Sequence, residues 1–237
     1  MSKNLVVRFA GEGGQGVVGG AELMASAAAQ GGYHVLTFST FPSQIKGGPA
    51  WGQARISSEP ILTPGDYLDV LVAQNQYAYD HNIEELREGG IVVFNSEEFE
   101  IEDGGRALGL PADKMAREAG NPLASTIILI GAVAKMAGVD ASELAKAMLH
   151  VRQLAGEAQK GNPDAAETFS KLGIDPKILA TQDAAHQVQT LAAAFEGWLE
   201  TWARGENFAR VRLAWLDRAA GPSSHVARRR MDPEPVR

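Results

Sequence analysis

The sequence contains no cysteine among its 237 residues. This absence excludes a disulfide framework, a thiolate nucleophile and an iron–sulfur cluster held by cysteines of this chain. Only five histidines are present, and none is clustered with acidic residues, so we expect no metal site. No apolar run approaches the ~20 residues of a membrane-spanning helix, and the N-terminus lacks a signal-peptide pattern. We therefore expect a cytoplasmic protein without a membrane span.

The chain also lacks an excess of positive charge. Its 22 Lys and Arg are outnumbered by 29 Asp and Glu, which gives a formal net charge of −7. This balance argues against general nucleic-acid binding, so we expect no nucleic-acid partner. The composition is that of an ordinary globular protein, 45% hydrophobic, with a slight surplus of glycine. The length suits one large α/β domain or one domain with an appendage.

A glycine-rich turn at residues 11–16 organises the chain. It reads Gly-Glu-Gly-Gly-Gln-Gly, follows the apolar segment 5–10 and precedes the small-residue segment 18–30, which is typical of a helix. A strand, a glycine turn and a helix in this order favour a phosphate site. Glycines let a ligand approach backbone N–H groups, and the N-terminus of a helix carries partial positive charge.

The rest of the chain predicts alternating strands and helices, followed by helices alone. Predicted strands cover residues 34–39, 51–57, 69–73, 91–95 and 107–110, and predicted helices cover residues 77–87, 111–118, 123–136, 140–151, 162–173 and 175–204. The first strand, helix and second strand form a βαβ unit with a right-handed crossover. We therefore predict an α/β fold: a three-layer, Rossmann-like domain with a mostly parallel sheet, followed by a helical C-terminal part.

We expect three regions along the chain. The Rossmann-like core covers residues 1–138, a helical extension packs on it over residues 139–204, and an Arg-rich tail occupies residues 205–237. We interpret the tail as disordered or bound by a partner, and a nucleic-acid or membrane patch is the alternative.

The residues around the second predicted strand bear on which phosphate the turn would bind. A dinucleotide site has an acidic residue about 20 positions after the turn to hold the ribose hydroxyls, whereas this strand ends in Ser39 and Thr40. A nucleoside-triphosphatase loop is excluded because no Lys-Ser/Thr follows the last glycine. Hydroxyls and the cation of Lys46 suit a phosphorylated ribose, as in coenzyme A. A plain surface turn at residues 46–49 is the structural alternative.

Three blocks of sequence together resemble the gamma subunit or domain of 2-oxoacid:ferredoxin oxidoreductases. They are residues 11–17, 37–50 and 69–73, and the middle block is most similar to 2-oxoglutarate-type enzymes. The resemblance covers residues 5–138, and the chain after residue 151 departs from the family pattern. It implies an enzyme that decarboxylates a 2-oxoacid oxidatively to acyl-CoA and reduces ferredoxin.

The resemblance also implies a division of labour in a hetero-oligomer. This chain would bind coenzyme A, whereas thiamine diphosphate, Mg and the iron–sulfur clusters would lie in partner subunits. The partners would be the alpha and beta subunits, with ferredoxin reached through the complex. The chain alone would be inactive, and we assign it no catalytic residue. The identity of the 2-oxoacid is not predicted, because substrate selection is expected to lie mostly in other subunits.

The candidate site combines the resemblance with strand-end geometry. Carried over by position, the glycine turn and the turn 46–48 are expected to contact the cofactor. Thr40 and Asn75 are added because ligands bind at the carboxyl ends of parallel strands. The candidate cofactor-binding residues are Gly11, Gly13, Gly14, Gln15, Gly16, Thr40, Lys46, Gly47, Gly48 and Asn75. Glu12 is expected to point away from the phosphate or to contact a partner subunit.

Other functions are compatible with the same glycine turn. An indolepyruvate oxidoreductase beta-type subunit shares the Gly-Gly-Gln-Gly loop but resembles this chain less around residues 41–49. A free-standing dinucleotide-binding oxidoreductase would use the same turn for NADH or NADPH. A structural or regulatory partner would leave the turn empty.

Overall fold

The computed structural model describes residues 4–40, 48–101, 106–118, 125–137 and 141–172. The strands are β1 (Asn4–Glu12), β2 (His34–Thr40), β3 (Pro49–Ser57), β4 (Leu68–Ala73), β5 (Leu86–Asn95) and β6 (Ala107–Leu110). The helices are α1 (Val17–Gln30), α2 (Gln76–Asp80), α3 (Ala112–Glu118), α4 (Ser125–Ala137), α5 (Ala141–Gln159) and α6 (Pro163–Leu172), with a 3-10 turn at Ile83–Glu85.

The six strands form one sheet in the order β2-β3-β1-β4-β5-β6. Strand β1 runs parallel to β4, β4 to β5, and β5 to β6. Within the described residues, β3 is the strand of opposite direction, pairing antiparallel with both β1 and β2. The predicted mostly parallel α/β sheet is therefore confirmed. The predicted strand–helix–strand unit is present as well, but β3 lies between its two strands and pairs with both.

The sheet is covered by helices on both faces, which makes three layers. Alternate residues of β1 point to opposite faces, so that Val7 and Phe9 join one core cluster and Val6 and Ala10 join the other. The first cluster is shared with α1, α3 and α4, and α5 packs on α1. The second is shared with α2. Strand β4 is buried along its whole length, as expected of a central parallel strand.

The helix predicted over residues 77–87 is wrong in extent. Helix α2 ends at Asp80, a 3-10 turn follows, and β5 already begins at Leu86. Residues 84–87, two glutamates, a leucine and an arginine, have good helix propensity, but Leu86 pairs with Leu68 of β4. Pairing in the sheet therefore overrides local propensity here.

Other predicted boundaries differ less. Helix α5 runs eight residues past the predicted end at residue 151, to Gln159. The strands predicted over 51–57 and 107–110 and the helix over 111–118 are confirmed as β3, β6 and α3. The helix predicted over 175–204 and the Arg-rich tail lie outside the described residues. The three-region division of the chain stays a prediction.

Candidate functional site

The carboxyl ends of β1 and β4 form the switch point of this sheet. From β1 the chain passes through α1 to β2, which lies toward one end of the strand order. From β4 it passes through α2 to β5, which lies toward the other end. Adjacent strands whose connections diverge in this way open a crevice in which α/β proteins bind ligands. The glycine turn leaves β1 here, and Gln74 continues β4 by donating its backbone N–H to Ala10 O at 3.0 Å.

The glycine turn uses its glycines for backbone conformation. Gly14 has a φ of +99° and Gly16 a φ of +78°, both in the left-handed region that side chains disfavour. Gly16 is the N-cap of α1 and supplies no side-chain hydrogen bond to the helix. The first bond of the helix runs from Gly20 N to Gly16 O at 2.8 Å. The N–H groups of α1 that come before Gly20 have no carbonyl one turn earlier. The start of α1 therefore offers donors to an anion.

Close packing explains the first glycine of the turn. A Cβ at Gly11 would overlap Gln15 Oε1 and lie 3.1 Å from Gln74 Cβ. Gln15 folds its side chain back over the turn, where Oε1 accepts the backbone N–H of Glu12 at 2.7 Å. The carboxylate of Glu12 lies on an exposed residue. The turn is thus compact, and its backbone is within reach of a ligand.

The structure brings the two predicted glycine segments together. Gly13 N donates to Gly48 O at 2.8 Å, so the residue that precedes β3 contacts the turn that follows β1. Lys46 and Gly47 lie outside the described residues. Thr40 ends β2 and pairs with Trp51, which puts it two strands away from β1 at the same edge of the sheet.

The structure gives Asn75 a capping role. It is the N-cap of α2, and its Oδ1 accepts the backbone N–H of Ala78 at 2.8 Å. This hydrogen bond satisfies one of the unpaired donors at the start of the helix. The side chain is therefore held at the carboxyl edge of β4, beside the crevice.

Two buried residues that the sequence analysis did not assign to the site hold the glycine turn by hydrogen bonds. The hydroxyl of Thr126 in α4 donates to Gln15 O at 2.5 Å and accepts from Gln74 Nε2 at 2.8 Å. Gln74 is 4% exposed and Thr126 is 7% exposed. The polar run at the end of β4 could have signalled Gln74. No local pattern could have signalled Thr126, because its contact with Gln15 spans 111 positions.

A buried arginine lies in the middle of β1. Arg8 of β1 makes a two-pronged ion pair with Glu85, at 2.6 and 2.7 Å. Its remaining donors bond Gln53 Oε1 and Asn82 Oδ1, and its guanidinium carbon lies 4.1 Å from the centre of the Trp51 ring. Since all five donors are used, Arg8 joins β1, β3 and the 3-10 turn and is not available to a ligand.

Across the described ranges, no helix combines the length and the apolar character needed to cross a membrane. In the same part of the chain, no three His, Cys, Asp or Glu side chains are grouped so that they could hold a metal ion.

Comparison with known proteins gives consistent matches. The model of the family "Pyruvate ferredoxin/flavodoxin oxidoreductase" matches residues 6–169. The pyruvate/ketoisovalerate oxidoreductases common subunit gamma of Thermococcus kodakarensis is 32% identical over 177 residues, which cover 70% of this chain and 95% of that protein.

Other relatives carry the matching region within a longer chain. Ketoisovalerate oxidoreductase subunit VorA of Methanothermobacter thermautotrophicus is 34% identical over 127 residues, or 53% of this chain and 27% of VorA. This chain thus spans about a quarter of that relative. A solved 2-oxoglutarate:ferredoxin oxidoreductase from Magnetococcus marinus, with 2-oxoglutarate, coenzyme A and succinyl-CoA bound, aligns with a TM-score of 0.58 and 29% identity. The alignment covers 81% of this chain and 31% of that one.

Proposed function

This chain belongs to the pyruvate ferredoxin/flavodoxin oxidoreductase family, and from that premise we propose that it is the coenzyme A-binding gamma subunit of a 2-oxoacid:ferredoxin oxidoreductase. The complete enzyme would convert a 2-oxoacid to acyl-CoA and carbon dioxide while reducing ferredoxin. The observation that carries the proposal is the glycine turn at the switch point of the sheet. The left-handed glycines Gly14 and Gly16 and the start of α1 would together supply the backbone donors of an anion site. The contact of Gly13 with Gly48 would hold the turn 46–48 beside it.

The chemistry of the site fits coenzyme A. The pyrophosphate suits backbone N–H donors at the start of a helix, where the helix dipole adds to the attraction. Strand β2 ends in Ser39 and Thr40, so no carboxylate stands at this strand end to hold a ribose diol. A ribose phosphate needs cations and hydroxyls there instead, and we propose that Lys46 and Thr40 serve it. The contact of the Magnetococcus marinus relative with coenzyme A supports the same ligand class.

The redox chemistry would occur in other subunits. The chain has no cysteine, so it holds no cluster through thiolates. We propose that alpha and beta partner subunits carry thiamine diphosphate, Mg and the iron–sulfur clusters, and that they pass electrons to ferredoxin, all within the cytoplasm. The gamma subunit would hold the thiol of coenzyme A near the acyl intermediate. Such positioning accelerates a reaction by removing the entropy of encounter.

Ligand-induced thermal shifts on the full chain, co-purified with its partner subunits, test this function. Coenzyme A should raise the midpoint of unfolding, since a ligand present at 100 times its Kd stabilises the native state by about 2.7 kcal/mol. NADH and NADPH should leave the midpoint unchanged. Shifts with NADH or NADPH and none with coenzyme A would favour a dinucleotide-dependent oxidoreductase. Full activity of the purified single chain would overturn the assignment as a subunit.

Lys46 allows a sharper test of the ribose phosphate. Lys46→Ala should weaken coenzyme A binding and leave the affinity for dephospho-coenzyme A, which lacks the 3′-phosphate, nearly unchanged. Lys160→Ala, at an exposed lysine after α5, is the matched control and should change neither affinity. Equal losses for the two ligands would show that Lys46 does not contact the 3′-phosphate.

A further inference from the structure

Thr126 in α4 and Gln74 at the end of β4 lie against the glycine turn. Both are almost fully buried, and Gln74 donates to the hydroxyl of Thr126. Thr126 in turn donates to the backbone carbonyl of Gln15 in the glycine turn. We infer that they are positioning residues, which hold the N–H of Gly16 toward the pyrophosphate. The inference rests on the proposed function, because it concerns the same anion site.

The peptide unit between Gln15 and Gly16 links the hydrogen bond of Thr126 to the direction of an N–H donor. In a planar trans peptide, the C=O and N–H groups point in opposite directions. The hydroxyl of Thr126 holds Gln15 O on the side of α4 at 2.5 Å. The N–H of Gly16 is therefore directed away from α4. A hydrogen bond to the carbonyl thus determines the direction of a donor that makes no contact with Thr126.

This peptide unit needs such a restraint. Gly16 has a φ of +78° and no Cβ, so rotation of the peptide plane meets little steric resistance. A flipped peptide would present the oxygen of Gln15 to the ligand instead of the N–H of Gly16. An oxygen facing a pyrophosphate is repulsive. Binding would then require the turn to reorganise first, which weakens affinity.

Gln74 gives the hydroxyl of Thr126 its direction. Gln74 Nε2 donates to Thr126 Oγ1 at 2.8 Å, so this oxygen acts as acceptor toward β4. The single hydroxyl proton of Thr126 is then left for Gln15 O. The backbone of Gln74 is itself fixed by its bond to Ala10 O at 3.0 Å. The ends of β1 and β4 and the start of α4 therefore act together on one peptide.

The test uses the full chain assembled with its partner subunits. Thr126→Val removes the hydroxyl and keeps the shape of the side chain, and we expect it to raise the Kd for coenzyme A about tenfold. The KM for coenzyme A should rise similarly, while kcat and the KM for the 2-oxoacid stay near wild type. Thr126→Ser retains the hydroxyl and should stay within about threefold of wild type.

A control separates positioning from general destabilisation. Ser57 at the far end of β3 also has a buried hydroxyl, which accepts the N–H of Glu59 at 3.0 Å. Ser57→Ala removes a comparable hydrogen bond at the opposite edge of the sheet and should leave the Kd for coenzyme A unchanged. If Thr126→Val does not assemble, Gln74→Met removes the donor to Thr126 and should raise the Kd about threefold.

The outcomes distinguish the two proposals. Absence of coenzyme A binding by the wild-type complex would refute the proposed function. Wild-type binding that is matched by Thr126→Val, or by Gln74→Met where the first variant does not assemble, would overturn the positioning role alone. Equal losses in Thr126→Val and Thr126→Ser would also overturn it, because the hydroxyl would then not be the cause.

Discussion

Helix α1 lies unusually close to β3 at Gly52. Adding one methyl group at this glycine tests how close the helix and the strand are. A Cβ built at Gly52 of β3 lies 2.9 Å from Val18 Cα, 2.9 Å from Ala21 Cβ and 3.2 Å from Val17 O. Two of these three atoms belong to the backbone of α1, so no side-chain rotation relieves the contact. Gly52→Ala should therefore push the first turns of α1 away from the sheet. Such overpacking typically costs about 1–3 kcal/mol of unfolding free energy.

The same substitution in α4 should have the opposite effect. A Cβ at Gly131 meets no atom within 4 Å, and the residue lies inside the helix. Alanine is favoured over glycine in a helix by about 0.8–1 kcal/mol, so Gly131→Ala should stabilise the protein by up to that amount. The pair thus compares one added methyl group at two glycines with opposite predicted signs.

Urea unfolding followed by circular dichroism measures both free energies. For a domain of this size, 1 kcal/mol corresponds to a shift of about 2–4 °C in the unfolding midpoint, so thermal scans give a second reading. Because Gly52 contacts the first turn of α1, its variant should also weaken coenzyme A binding. A Gly52→Ala protein as stable as wild type would refute the close approach of α1 to β3.

Two other side chains give predictions with separate readouts. Asn75→Ala removes the cap on Ala78 N and should cost about 1 kcal/mol, whereas Asn75→Asp keeps an acceptor and should retain stability. If Asn75 also contacts coenzyme A, Asn75→Asp should weaken binding through charge repulsion, and unchanged affinity in titration calorimetry would limit Asn75 to its capping role. Arg8→Lys keeps the charge but cannot keep both bonds to Glu85 and those to Gln53, so we expect a loss of about 2–3 kcal/mol in urea unfolding. Wild-type stability of Arg8→Lys would show that the forked geometry contributes nothing net.

Local pattern was sufficient for much of the fold. The apolar run of β1, the glycine turn and the small residues of α1 lie next to each other in sequence, and each acts on its immediate neighbours. Strand β3 and helix α6, predicted over residues 51–57 and 162–173, also follow from local pattern. The prediction failed at residues 77–87, where helix propensity competes with the pairing of Leu86 and Leu68. Propensities of a few tenths of a kcal/mol per residue yield to sheet formation.

In the candidate site, too, some features follow from local sequence and others from tertiary packing. The sequence by itself predicted the glycine turn, because glycine permits the positive φ that Gly14 and Gly16 adopt. Tertiary structure decided that β3 lies between β1 and β2, which brings Gly48 onto Gly13. It also decided that Thr126 holds the turn across 111 positions. Contacts between residues so far apart in sequence depend on how the helices and strands pack. The residues next to either partner in sequence therefore do not predict them.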